Sequence, residues 1–238
     1  MSNKLLLVGA GNDLHTRYNL TLVDYHLHTN YTDGNDSMID MYRMACAKNL
    51  SAVLFSEHAR ASSISWFPSF VDEAKTLKSG DCNIFIGVEA RINSYEGTLD
   101  SCEDILNLCD LVIGSVHRFP SEEYTLEKER FSPAEAVEIE YALSKAALDN
   151  PNVNILGHPF GMSLRRFNIV PEESYWISLL KLAAEKGIAI EINSKYHKHI
   201  IEKLITWCKQ FGNTISPGSD AHNVNEVGSI CPLIKEYL

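Results

Sequence analysis

Seven short apolar runs recur along the chain, at residues 21–25, 52–55, 84–88, 111–115, 153–156, 188–192 and 214–217, and an amphipathic stretch follows each of them. The runs are rich in Val, Ile, Leu and Phe, and most are too short for helices. Continuous apolar character over so few residues fits strands buried on both faces, as in a parallel sheet. The intervening stretches, at 38–48, 70–78, 102–108, 133–149, 172–186, 199–211 and 226–238, carry apolar residues at helical spacing. Ser132 followed by Pro133 reads as a helix start, and Gly187 and Gly212 read as helix stops. Strands alternating with helices in this way form βαβ units in series, which close into a barrel or spread into a doubly wound sheet.

The polar residues at the strand ends decide between the two. The first run leads into Asp24-Tyr25-His26-Leu27-His28 and then Asp33-Gly34, the second into Glu57-His58, and the third into Gly87-Val88-Glu89. The fourth leads into Gly114-Ser115-Val116-His117, the fifth into Gly157-His158-Pro159, the sixth into Glu191-Ile192-Asn193 and the seventh into Gly218-Ser219-Asp220-Ala221-His222. An open sheet gathers its ligands at one switch point, whereas a barrel opens every strand C-terminus onto one face. Every strand here ends in a polar residue, so a barrel of seven strands is expected, as one domain over residues 1–238 with a core of about 21–225.

His and carboxylate are the usual ligands of Zn²⁺, Mn²⁺ and Fe²⁺. His26 and His28 are two apart and project to one side of an extended segment, so both can reach one ion. The candidates exceed the roughly four ligands that one ion takes, and they suit two or three ions. His15, His197 and His199 do not end strands, and surface positions are expected for them. Val8-Gly9-Ala10-Gly11-Asn12 opens like a dinucleotide-binding loop, but Leu14 stands where the third glycine is required.

A net charge of −10 argues against a nucleic-acid binder, which draws its affinity from Lys and Arg. No apolar run approaches the roughly 20 residues of a membrane helix. The cysteines at 46, 82, 102, 109, 208 and 231 contain no CxxC pair, which fits reduced thiols and a cytoplasmic location.

The ordered set His-x-His with a following Asp-Gly, then Glu-His, Gly-x-Glu, Gly-Ser-x-His, Gly-His-Pro and Gly-Ser-Asp-x-His resembles the PHP (polymerase and histidinol phosphatase) superfamily, from Asp24 to His222. The resemblance implies a distorted (β/α)7 TIM-like barrel with a trinuclear centre of divalent ions (Zn, Mn or Fe) and phosphoesterase activity. It also implies that one ion takes His26, His28, Glu89 and Asp220. A second takes Glu89, His117 and His158, with Glu89 bridging, and a third takes Asp33, His58 and His222. Asp24 is expected to orient a ligand His, and Asn193 to present its amide at the rim.

The reaction expected from this set is hydrolysis of a small-molecule phosphomonoester by a hydroxide bridging the metals, with Glu89, Asp220 and His222 at the reacting centre. Arg60, Arg91, Arg118 and Lys195 lie close in sequence to the expected ligands and are candidates for holding the phosphate; Arg165 and Arg166 follow His158 at a greater distance. Trp66, Phe67 and Phe70 are candidates for lining a pocket or packing a loop. Other functions weighed are a phosphodiesterase or 3′–5′ exonuclease acting on nucleic acid or a cyclic phosphate, an amidohydrolase-type C–N hydrolase, and a non-catalytic scaffold. A carboxylated Lys often bridges the ions of amidohydrolases, where Glu89 stands here, and an intact ligand set argues against the scaffold.

Overall fold

The computed structural model describes residues 8–9, 22–77, 81–120 and 131–237. A two-residue strand, β1 (Val8–Gly9), pairs antiparallel with the last strand. Seven parallel strands follow: β2 (Val23–Leu27), β3 (Ala52–Glu57), β4 (Asn83–Arg91), β5 (Leu111–Ser115), β6 (Ile155–Leu156), β7 (Ala189–Asn193) and β8 (Thr214–Gly218). They lie side by side in chain order and form a nearly closed, distorted (β/α)7 barrel. The helices are α1 (Met38–Ala47), α2 (Phe67–Thr76), α3 (Glu103–Leu106), α4 (Pro133–Ala147), α5 (Gly161–Arg165), α6 (Glu173–Lys186), α7 (Ile201–Phe211) and α8 (Ile230–Lys235). Among the described residues no helix is long and apolar enough to cross a membrane.

Both faces of the strands are buried, as their unbroken apolar runs require. Val23, Tyr25, Ala52, Leu54, Leu111, Ile113, Ile155 and Ala189 form one cluster drawn from five strands and no helix, so they fill the barrel interior. The alternate residues, such as Val53, Phe55, Ile86 and Val88, pack outward against Met38 and Met41 of α1 and Phe67 and Phe70 of α2. Burying each such side chain contributes about 1.5–3 kcal/mol. This two-residue period assigns the strand ends. Ala189 points inward, so Glu191 and Asn193 do too, and Phe85 sets the same direction for Gly87 and Glu89. In β2 the register shifts between Asp24 and Leu27, and Leu27 packs in the outer layer while His26 and His28 face the mouth.

The barrel closes between β2 and β8 through one isolated bridge, Leu27 to Ala221. His28 N–H donates to the Ala221 carbonyl at 2.9 Å, and Ala221 N–H donates to the His26 carbonyl at 3.2 Å. Asp24 locks this seam. Its carboxylate accepts from Ser219 N–H at 2.8 Å, Ser219 Oγ at 2.6 Å and Gly228 N–H at 2.7 Å. Asp24 therefore does not orient a histidine ring; it ties the first barrel strand to the chain beyond the last. Burial raises its pKa above the usual carboxylate range, against these donors.

Helix ends follow local chemistry. Ser132 and Glu135 form a reciprocal capping box at α4, and Gly187 and Gly212 end α6 and α7 in the left-handed conformation. The second helix starts at Phe67, earlier than its apolar spacing suggests, with Pro68 in its first turn. The last is only Ile230–Lys235, and α5 has no counterpart in the sequence pattern. His15 and residues 10–14 of the discounted loop lie outside the described residues.

Candidate metal centre

The C-terminal ends of the strands bring His26, His28, Asp33, His58, Glu89, His117, His158, Asp220 and His222 to one mouth. Glu89 sits at the centre. Its Oε1 lies 2.8 Å from His158 Nε2 and 3.0 Å from His117 Nε2. Its Oε2 lies 3.2 Å from His26 Nε2, 3.3 Å from His58 Nδ1 and 3.4 Å from His28 Nε2. Asp220 Oδ1 stands 3.4 Å from His28 Nε2 and 3.5 Å from His222 Nδ1. Asp33 reaches from the loop after β2, with its carboxylate 3.4 Å from His222 Nε2 and 3.5 Å from His58 Nε2.

These donors fall into overlapping groups: His26, His28 and Asp220; His58, Glu89 and His117; and His28, Asp33, His58 and His222. Two donors bound to one cation at about 2.0–2.2 Å stand roughly 3 Å apart. The spacings above match that figure, and the Nε2 atoms of His26 and His28 face each other at 3.0 Å. Imidazole and carboxylate donors fit Zn, Mn or Fe. The donor set therefore suits divalent ions.

The electrostatics of the cluster centre on two buried carboxylates. Burial opposes ionisation of Glu89, and the imidazoles, His117 and His26 foremost, override it and hold its pKa well below the usual range. Burial likewise opposes charge on His28, but hydrogen bonds to Asp220 and Glu89 carry its pKa up to about 9. Desolvation dominates at His58, whose pKa falls to about 4. Asp33 is held low, first by its hydrogen bond with His222. His158 and Asp220 both adopt positive φ, 23° and 54°, an uncommon conformation for side chains of this size that concentrates at functional sites.

Three carboxylates that the sequence pattern left without a role support this cluster. Glu191 forms its floor. Its Oε1 lies 2.7 Å from His26 Nδ1 and accepts from Asn193 Nδ2 at 2.8 Å, and its Oε2 accepts from His158 N–H at 2.5 Å. A Cβ on Gly218 would overlap Glu191 Oε1 and crowd His26 Cβ, so this position has room only for hydrogen. Glu57 accepts from Thr29 N–H at 2.7 Å, from Thr29 Oγ1 at 2.6 Å and from Thr32 Oγ1, and so holds the loop that carries Asp33. Glu140, in α4, accepts from Met162 N–H at 2.9 Å and from Ser163 N–H and Oγ at 2.7 and 2.6 Å. It thereby caps α5 and fixes the loop after His158. The signal that could have found Glu191 is its inward position at a strand end, two residues beyond Ala189.

Glu191 gives His26 a fixed ring orientation. Partners of this kind are worth about 10–100-fold in metal affinity or activity. Glu191→Gln places an amide N–H₂ group opposite either His158 N–H or the His26–Asn193 side. Metal retention on dialysis should then fall by about that factor. Retention equal to the parent's would remove Glu191 from this role.

Two expectations need correction. His197 is fully buried: its Nδ1 accepts from Asn193 N–H at 3.1 Å and its Nε2 lies 3.0 Å from the Pro159 carbonyl. It is a satisfied core histidine, with its pKa pushed down to about 4 by burial, whereas His199 is exposed. Asn193 is also fully buried, and its Oδ1 accepts from the N–H groups of Lys195 and Tyr196 beneath the rim.

An open cavity of about 1120 Å³ leads to the cluster. Arg60, Arg91, Arg118 and Lys195 all line it. Arg91 and Arg60 share Asp100, at 3.2 and 3.5 Å. Lys195 Nζ donates to the Asp220 carbonyl and lies 3.1 Å from Glu226. Trp66 lines the cavity as well, while Phe67 and Phe70 are fully buried in the core.

The chain matches the family model described as PHP domain over residues 24–195. It is 30% identical over 232 residues to a probable phosphatase of Caldicellulosiruptor saccharolyticus, covering 90% of this chain and 87% of that one. It is also 30% identical over 224 residues to a probable phosphatase of Caldanaerobacter subterraneus subsp. tengcongensis, covering 89% and 81%. Among solved structures, a histidinol phosphate phosphatase from Lactococcus lactis, complexed with zinc, L-histidinol and phosphate, superposes with a TM-score of 0.65 at 18% identity, covering 91% of this chain and 94% of that one. At that identity the likeness speaks for the fold alone, but the family model covers most of the chain, and the chain belongs to the PHP domain family.

Proposed function

We propose that this chain is a metal-dependent phosphatase that hydrolyses a small-molecule phosphomonoester, of the histidinol-phosphatase type. The observation that carries the reading is Glu89, a buried carboxylate within 2.8–3.4 Å of five imidazoles at the base of an open cavity. His26, His28, Glu89 and Asp220 would hold one ion, Glu89, His117 and His158 a second, and Asp33, His58 and His222 a third. Such ions, when bound, lower the pKa of water and neutralise phosphoryl oxygens.

The chain's own residues do the rest. Glu191 fixes the ring of His26 and the backbone of His158. Glu57 holds the loop that carries Asp33. Arg118, exposed on the cavity wall and without an ion pair among the described residues, is free to take two phosphoryl oxygens in its planar fork. Arg60, Arg91 and Lys195 add positive potential at the same mouth.

The test is turnover of p-nitrophenyl phosphate, histidinol phosphate and bis-p-nitrophenyl phosphate with Mn²⁺, Zn²⁺ and Fe²⁺ in turn. The expected result is monoester hydrolysis that exceeds diester hydrolysis, stops on chelation and returns with metal. Preferred hydrolysis of the diester would shift the reading to a phosphodiesterase. No turnover with any metal, in a protein that retains less than one ion per chain, would overturn it.

A further inference from the structure

A phosphate fills only a small part of the cavity above the cluster. The rest is room for the organic part of an ester, and the wall decides which kind fits. Among the described residues that line it, two aromatic side chains stand besides the histidines, Trp66 and Tyr196. Tyr196 is already engaged: its ring packs 4.6 Å from that of His158, and the guanidinium of Arg165 lies 5.6 Å from its centroid. Trp66 differs. It is half-buried, whereas Phe67 and Phe70, the next rings along the chain, are fully buried. Beyond His58 and Arg60, the stretch after β3 gives this wall only Ala59, Ser62 and Ser63, which are too small to cover an indole. Arg60 pairs with Asp100 at 3.5 Å.

The indole is held from behind. Tyr31 stacks on it, with centroids 5.6 Å apart and planes at 29°. The Tyr31 hydroxyl donates to Glu73 of α2 at 2.8 Å, which fixes that ring in turn. Phe67 and Phe70 meet the indole at steep angles, 60° and 83°, with centroids 5.7 and 6.2 Å away. One face is therefore backed, and the ring cannot turn away without breaking this stack. Tyr31 stands two residues before Asp33, and Trp66 follows His58 through a single 3₁₀ turn, Ala61–Ser65. The platform is thus built from the two loops that carry Asp33 and His58. A surface ordered beforehand loses little freedom when a ligand lands on it.

We infer that Trp66 selects esters whose organic part carries a flat ring, which stacks on the indole while the phosphate lies over Glu89. The inference rests on the phosphatase reading above and names the class of ester. A flat π surface gains offset-stacked or edge-on contact with an indole beyond the area that an alkyl group of similar size buries there. An open-chain ester leaves the indole in water.

The test uses phosphonates, which have no ester bond to cleave, so leaving-group reactivity does not enter. Inhibition constants against p-nitrophenyl phosphate hydrolysis, with the best metal, are compared for phenylphosphonate, n-butylphosphonate and methylphosphonate. Phenylphosphonate is expected to bind about tenfold more tightly than methylphosphonate and several-fold more tightly than n-butylphosphonate. Trp66→Leu keeps an apolar side chain at this position. It should remove the advantage of phenyl over butyl and leave methylphosphonate unchanged, while Trp66→Phe should keep part of that advantage. Methylphosphonate is the control for an intact site, and the comparison within the parent stands even if a variant fails to fold. If p-nitrophenyl phosphate is hydrolysed but phenylphosphonate binds no better than n-butylphosphonate, the inference falls and the phosphatase reading stands. A phenyl advantage that survives in full in Trp66→Leu would equally overturn Trp66 as its source. If no ester is hydrolysed with any metal, both fall together.

Discussion

Glu89→Gln should lose more than about 100-fold in turnover and at least one bound ion per chain. The figure follows from position. Residues that only orient a metal ligand are worth about 10–100-fold, and Glu89 touches five of the histidines itself. Gln keeps the shape but presents an N–H₂ group to two or three imidazole nitrogens and removes the negative charge that offsets them. The measurements are elemental analysis after dialysis and monoester turnover under saturating Mn²⁺. The circular dichroism spectrum should match the parent's, because Glu89 contributes no backbone pairing through its side chain. A variant that keeps its full metal complement and its turnover would remove Glu89 from the centre.

Glu140→Ala should cost about 3–5 kcal/mol of stability in urea denaturation. Truncation leaves two backbone N–H groups and the Ser163 hydroxyl without their acceptor, all in a buried site, and opens a cavity beside α4. The pH dependence carries a second signature. Burial pushes the Glu140 carboxyl up to about 7, against the hydrogen bonds from Ser163 and Met162. The folded state thus holds this proton more tightly than the unfolded chain, where the ordinary value is 4.5. That contribution to stability is complete below 4.5 and is lost as the pH rises through 7. The gap between parent and variant should therefore be widest in acid and shrink on the way to neutrality. A gap that does not change from pH 4 to 8 would contradict this.

The barrel and its chemical end were legible in the sequence for one reason. A strand buried on both faces carries few polar residues before its C-terminal end, so the His and carboxylate residues that follow an apolar run mark that end, with Asp24 inside β2 the exception. His26, His28, His58, Glu89, His117, His158, Asp220 and His222 were all visible on that rule, and Asp33 was visible through the Asp-Gly that follows the His pair. The supporting carboxylates were not. Glu191 acts only because Ala189 sets its inward direction, and Glu140 acts only because α4 packs across the start of α5. Helix α5 has five residues, too few for any periodicity, and it forms because a distant carboxylate caps it. His197 misled for the same kind of reason. Its neighbours read as an exposed helix start, yet a backbone N–H and a carbonyl from another loop enclose it.

The seam between the first and last barrel strands has a consequence for biosynthesis. Asp24 and Ser219 are 195 residues apart, and His26 and His28 meet Asp220 across the same join. A growing chain therefore carries His26 and His28 past the 195-residue span from Asp24 to Ser219 before the acid that completes their group has been made. The centre is complete only once β8 and the residues after it have been made, and a nascent chain that stops short of β8 has only a partial set of donors.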